Sequence, residues 1–170
     1  MMIFKLRIGH WDFTTTITQF TKVIGVNSTL PDGNHILMWD FDEQELSDVC
    51  VALKEAQAEY KLPSIIVLNT GAPNHFIAYC FVRMPWIQTV GIVASTPYVD
   101  YNFFKYAVLR KRWTLRISDK EGRNIKRAAI LIGFKHPNVY LKDLHSFVRY
   151  ETMTSKSPKG WIQIGKRRNT

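Results

Sequence analysis

Residues 35 to 41, HILMWDF, make an almost unbroken apolar run that ends on carboxylates. Seven residues suit a strand better than a buried helix, and apolar continuity in place of alternation marks a strand covered on both faces. Pro31, Asp32 and Gly33 stand before it as a turn. The run therefore predicts a buried central strand that carries Asp40 and Asp42 to its end.

From this strand to about residue 82 the pattern predicts a β-α-β-β order. Between residues 43 and 60, Leu46, Val49, Cys50, Leu53, Ala56 and Tyr60 recur at three- and four-residue spacing, one helix stripe laid against a sheet. Lys61, Leu62 and Pro63 end that helix; SIIVLNT and HFIAYCFV then read as strands on either side of the break Gly71-Ala72-Pro73. Ahead of this core, residues 2 to 9 alternate as a half-buried strand does. Behind it, residues 86 to 94 and 101 to 110 read as shorter helices. WTLRIS and AAILIGF predict a hairpin around residues 119 to 124, and a last helix is expected near 140 to 150. The end of the chain is polar and basic around WIQI, which reads as a mobile arm or a final edge strand. With no repeat and no linker, the expectation is one α/β or α+β domain over residues 1 to 155 and a basic tail over 156 to 170.

The chain has 170 residues, 46% hydrophobic and 22% charged, enough for one core of its own. Lys and Arg outnumber Asp and Glu by 23 to 14, a formal charge of +9 that favours polyanionic partners, although basic chains also meet acidic membranes or are simply solvated. Cys50 and Cys80 form no CxxC pair, which argues against a zinc ribbon or a disulfide framework and for a reducing compartment. Lys5, Arg7 and His10 interrupt the N-terminus before any signal-length apolar stretch, and no run of about 18 apolar residues occurs. The expectation is a cytoplasmic protein without a membrane partner.

Alternation on the strand puts Asp40 and Asp42 on one face and Trp39 and Phe41 on the other. Two acids on one face suit a hard divalent cation shared with phosphate oxygens; they equally suit a solvated strand end leading into an acidic helix start. In Asn69-Thr70-Gly71-Ala72-Pro73-Asn74-His75, a small-residue break can bring backbone N–H groups and an imidazole to a phosphate, or His75 can be a satisfied structural residue. Asp100 comes later, in TPYVDYNFFKY. On WTLRIS, Thr114, Arg116 and Ser118 share a face, so Arg116 projects beside polar neighbours as a phosphate clamp or as an exposed surface arginine. Arg110, Lys111 and Arg112 read as a solvated helix end.

In sequence, ILMWDFD, TGAPNHF, YVD and WTLRISDK resemble, over residues 34 to 120, the catalytic core of the archaeo-eukaryotic primase superfamily, or primase-polymerases. Members carry a DxD or DxE first motif, an SxH second motif, a hydrophobic-Asp third motif and then a strand with arginine and lysine. The resemblance implies an RRM-like sheet with flanking helices, joined to a small α/β module from the N-terminal residues. It implies metal ligation by Asp40, Asp42 and Asp100 with Mg²⁺ or Mn²⁺, and a nucleoside triphosphate held by His75, Arg116, Lys120 and Thr70. Pro73 stands where the family has serine, with Thr70 as a nearby hydroxyl. The chain has no cysteine-rich zinc module and no Walker A motif, so any helicase or other replication protein would be a separate chain, as in a virus, plasmid or other mobile element.

The expected activity is template-directed nucleotidyl transfer on a single-stranded or primed nucleic acid: primer synthesis, or extension into DNA or RNA. A non-catalytic module of the same fold that binds single strands is the alternative, against which the three acids argue, since carboxylates repel a polyanion unless metal is present. A metal-dependent nucleotide-sugar transferase would also use DxD, but leaves the basic second half without a role.

Overall fold

The computed structural model describes residues 2–17, 20–120, 122–153 and 162–164, and shows an α+β protein with mainly antiparallel sheets and three α-helices among them. The chain groups into two compact units, Met1–Lys22 with Glu151–Thr170, and Val23–Tyr150, where the sequence suggests one domain and a boundary at 155.

In the first unit, β1 (Met2–Ile8) and β2 (Trp11–Ile17) form an antiparallel hairpin, and β10 (Ile162–Ile164) lies parallel to β1. Gly9 takes the left-handed conformation at the turn, with φ of 60°. Arg7 and Asp12 face each other across the hairpin in a two-pronged ion pair of 2.6 and 2.7 Å. The α/β module expected from the N-terminal residues is, among the described residues, entirely β. Consecutive Thr14, Thr15 and Thr16 in β2 favour that outcome. WIQI contributes the edge strand β10; tail residues 156–161 and 165–170 lie outside the described residues.

The second unit is built on a four-stranded sheet in the order β4-β6-β5-β8. Its strands are β4 (His35–Phe41), β5 (Ile65–Asn69), β6 (Phe76–Met84) and β8 (Lys126–Leu131). Helix α1 (Leu46–Glu59) joins β4 to β5 while β6 lies between them, a split β-α-β unit. The buried positions of α1 are Val49, Ala52, Leu53, Ala56 and Gln57, so the stripe is rotated slightly from the one the spacing predicts. Gln57 Nε2 donates to the carbonyls of Pro63 and Leu131 at 2.9 and 3.1 Å, satisfying its buried amide and tying α1 to β8.

Helices α2 (Trp86–Ser95) and α3 (Tyr101–Arg110) come next, close to the expected bounds. Although β4 is buried nearly throughout, it is an edge of this sheet and not a central strand. Its outer rim is closed piecemeal: Ile36 N donates to Ser28 O at 3.0 Å and Asp100 N to Asp40 O at 2.8 Å. Apolar continuity reports coverage of the faces and is silent about pairing at the edges.

The third sheet has the order β7-β3-β9, from β3 (Phe20–Asn27), β7 (Thr114–Arg116) and β9 (Phe147–Met153). The expected hairpin between WTLRIS and AAILIGF does not form, because β7 pairs with β3 and β8 with β5. Each strand is held by its own long-range packing. Leu115 is buried in the core, and a Cβ at Gly133 would come within 2.1 Å of the Pro63 backbone. The helix expected near 140 to 150 is a single 3-10 turn, Leu141–Asp143, with β9 after it. Tyr140 N donates to Asp143 Oδ2 at 2.8 Å, and Asn27 N then captures Ser146 O at 2.8 Å, drawing the chain into the sheet.

Candidate functional site

The end of β4 is where the chemistry-bearing side chains gather. Register pairs Met38 with Tyr79 and Asp40 with Ile77, so Met38 and Asp40 share one face. Trp39 and Phe41 turn to the other and are fully buried, with Trp39 Nε1 donating to Thr96 Oγ1 just past α2 at 3.1 Å. Asp100 is the N-cap of α3: its Oδ1 accepts from Phe103 N at 2.6 Å while its own N–H binds the Asp40 carbonyl. One residue thus starts a helix and closes the open edge of β4.

An aromatic cluster fixes the position of that helix. The Trp113 ring, fully buried, has Trp86, Phe103 and Phe104 at centroid distances of 5.0, 5.3 and 6.0 Å, and its Nε1 donates to Thr89 Oγ1 at 2.9 Å. With α3 docked this way, Asp40, Asp100, Asn102, Tyr106, Arg110 and Arg112 line a cavity of about 190 Å³. Arg110 also lies over the Tyr106 ring, 5.7 Å from its centroid. The sequence reads Arg110 and Arg112 as a solvated helix end; the fold brings them to the same cavity as two of the carboxylates.

Asp42 meets the loop between β5 and β6. Its Oδ1 accepts from His75 Nδ1 at 2.6 Å. The loop is tightly constructed: Thr70 N donates to His75 O at 3.1 Å, Gly71 N to Asn69 Oδ1 at 2.7 Å, and Asn74 Nδ2 to Glu45 Oε1 at 2.8 Å. Gly71 has φ of 83°, and a Cβ there would lie 2.8 Å from Arg123 Cβ, so the break requires glycine on two counts. Arg116 reaches this loop from β7, Nη2 donating to Thr70 O and Nη1 to Ser118 O, each at 2.8 Å. Those bonds make Arg116 a brace for the loop that presents His75.

Burial first, and then repulsion from Asp42 and Asp100, push the Asp40 carboxyl up to about 7, with the Phe41 N–H and Arg116 pulling it partly back. The three predicted acids and Arg116 therefore share one electrostatic neighbourhood. Concentrated carboxylate oxygen is the donor chemistry that Mg²⁺ or Mn²⁺ takes, and Oδ2 of both Asp42 and Asp100 is left over after their hydrogen bonds. Among the described residues, no group of three or more His, Cys, Asp or Glu side chains is drawn together tightly enough to hold a metal ion as it stands. Lys120 pairs through its backbone with Arg123 in the turn after β7. Thr70 contributes its backbone N–H and carbonyl to the loop.

Among the described residues, no helix is long and apolar enough to cross a membrane. No protein-family model, curated protein or solved structure matches the chain.

Proposed function

We propose that the chain is a nucleotidyl-transfer enzyme of the primase-polymerase kind, acting on nucleoside triphosphates with a single-stranded or primed template. The observation that carries this reading is the cavity at the end of β4, whose lining holds Asp40 and Asp100 together with Arg110 and Arg112, beside the Asp42–His75 pair. Acids alone would suit a cation and arginines alone a phosphate. Together they suit a polyphosphate carried with a divalent ion. The split β-α-β order, with β6 between β4 and β5, supports an RRM-like sheet of the primase type.

In this reaction a 3′-hydroxyl oxygen, of a primer or an initiating nucleotide, bonds to the α-phosphorus of the bound triphosphate as the bond to the β-phosphate oxygen breaks. Pyrophosphate leaves and the hydroxyl proton passes to solvent. Asp40, Asp42 and Asp100 would hold Mg²⁺ or Mn²⁺, which when bound supplies charge neutralisation at phosphorus and acidifies the attacking hydroxyl. Arg110 and Arg112 bind the triphosphate tail and stabilise charge on the departing pyrophosphate. His75, oriented through Nδ1 by Asp42, turns Nε2 to a phosphate oxygen. Arg116 keeps the Thr70 to His75 loop in register and adds positive charge to the neighbourhood, while Lys120 assists from the turn after β7.

The test is incubation with a primed single-stranded template, each nucleotide set, and Mg²⁺ or Mn²⁺, reading product length and released pyrophosphate. Templated extension with matching pyrophosphate is expected. Binding of the template without extension under every combination would favour the second reading, a non-catalytic single-strand module, which the exposed tyrosines of α3 also suit.

A further inference from the structure

The outward face of α3 carries tyrosines, cations and the exposed aliphatic side chains of Leu109 and Val108, and no acid. Tyr101 and Tyr106 are 69% and 50% exposed, and each sits beside a cation four residues on. Lys105 Nζ is 5.9 Å from the Tyr101 ring centre and the Arg110 guanidinium 5.7 Å from that of Tyr106. From residue 101 to residue 118 there is no Asp or Glu, while Lys105, Arg110, Lys111, Arg112 and Arg116 fall in that span. Just ahead of the helix, Tyr98 is 56% exposed with φ of 65°. An aromatic residue rarely takes that left-handed conformation, and here more than half of the residue stays in the open, so burial does little to offset the strain.

We infer that Tyr98, Tyr101 and Lys105 form a base-stacking track for single-stranded nucleic acid, leading along α3 to Tyr106 at the mouth of the Asp40–Asp100 cavity. Flat rings in the open accept any base by its π-face, and positive charge between them tracks the phosphates. The apolar side of α3, with Phe103, Phe104 and Ala107, is turned inward onto the core that holds Trp113. An interfacial membrane helix needs a broad apolar side outward; here only Leu109 and Val108 stand exposed among tyrosine and cation, a mixture that fits a nucleic-acid strand better than a lipid surface. The direction of the track rests on the polymerase reading of the cavity; the stacking itself does not.

The experiment measures binding by anisotropy, without nucleotide or metal, to an oligothymidylate and to an abasic oligonucleotide of equal length and charge. The wild-type protein should bind the base-bearing strand about tenfold or more tightly than the abasic one. Tyr98→Asn combined with Tyr101→Ala should bring the two affinities together, Asn being chosen because it tolerates the left-handed backbone. Tyr101→Phe should keep the difference, since stacking does not need the hydroxyl. Equal wild-type affinity for both strands, or an undiminished difference in the double variant, would overturn the track. So would binding to anionic phosphatidylserine vesicles that the double variant loses in parallel. Failure of extension with base-selective binding intact would sink the enzyme reading and leave the track standing.

Discussion

The face of the four-stranded sheet that carries Asp40 holds two hollows of opposite character. One, of about 580 Å³, is lined almost wholly by apolar groups: Ile66, Leu68, Tyr79 and Phe81 from the sheet, with Val26 and Leu144 among those opposite. The other, of about 190 Å³, has Asp40, Asp100, Arg110 and Arg112 in its lining. The larger hollow offers more surface to a ligand, yet it lacks the charged groups that nucleotidyl transfer needs. Volume locates where the core is loosely filled, whereas the smaller cavity is where a group has been pushed far from its ordinary ionisation. Tyr79 lines the apolar hollow, and its hydroxyl reaches toward the Arg116 carbonyl at 3.5 Å.

The contrast breaks most sharply at Asp100. Asp100→Asn keeps a good N-cap but removes the charge, so thermal stability should change by less than about 1 kcal/mol while nucleotide incorporation falls on the order of 10²–10³-fold. Incorporation rate and melting temperature, measured on the same preparation, check both halves. In the apolar hollow the balance should reverse. Tyr79→Ala removes a nearly buried ring and should cost about 3 kcal/mol in denaturant unfolding, yet incorporation well below the melting temperature should survive. Arg110→Ala lies on the polar side and should lower nucleotide efficiency by roughly 10- to 150-fold, the usual cost of one charge-assisted bond, with abasic-strand affinity reduced far less.

A further effect is the dependence of stability on pH. The ordinary value for Asp40 is 3.8 and the folded value about 7, so the native state holds its proton more tightly. The contribution of Asp40 to stability is thus greatest below about pH 4 and declines as pH rises to about 7, staying low above that. Asp40→Asn removes the decline. The variant should melt a few degrees above the wild-type protein at about pH 8 and level with it at about pH 4. Adding Mg²⁺ or Mn²⁺ at the higher pH should stabilise the wild-type protein and not the variant; a variant equally stabilised would place any bound cation elsewhere.

Much of the acidic half of this site is legible in the sequence because it depends on local periodicity. The two-residue repeat along β4 sets Asp40 apart from Trp39, and the glycine break before His75 marks the loop between two strands; that Gly71 takes a left-handed backbone there is visible only in the fold. The basic half is not legible in the same way. Arg110 and Arg112 sit at a helix end, where cations are ordinarily solvated, and only the packing of α3 on Trp113 brings them to the cavity that Asp40 and Asp100 also line. Arg116 is identifiable as a polar-face residue, but its bonds to the Thr70 and Ser118 carbonyls depend on β7 pairing with β3. Strand propensity marks β7 and β8 as strands without naming their partners, and nearness in sequence favours the wrong pairing. The same limit applies to residues 140 to 150, where the bonds between Asn27 and Ser146 override a helical pattern.

The most direct measurement is single-nucleotide incorporation on a primed template with Mn²⁺ or Mg²⁺, comparing the wild-type protein with Asp40→Asn after both are shown to be folded. The expected result is templated incorporation by the wild-type protein and a loss of at least about a hundredfold in the variant, with template affinity retained. Incorporation by Asp40→Asn at the wild-type rate would contradict the assignment of Asp40 to the catalytic cavity, and a wild-type protein that binds template yet incorporates no nucleotide with either ion would contradict nucleotidyl transfer itself.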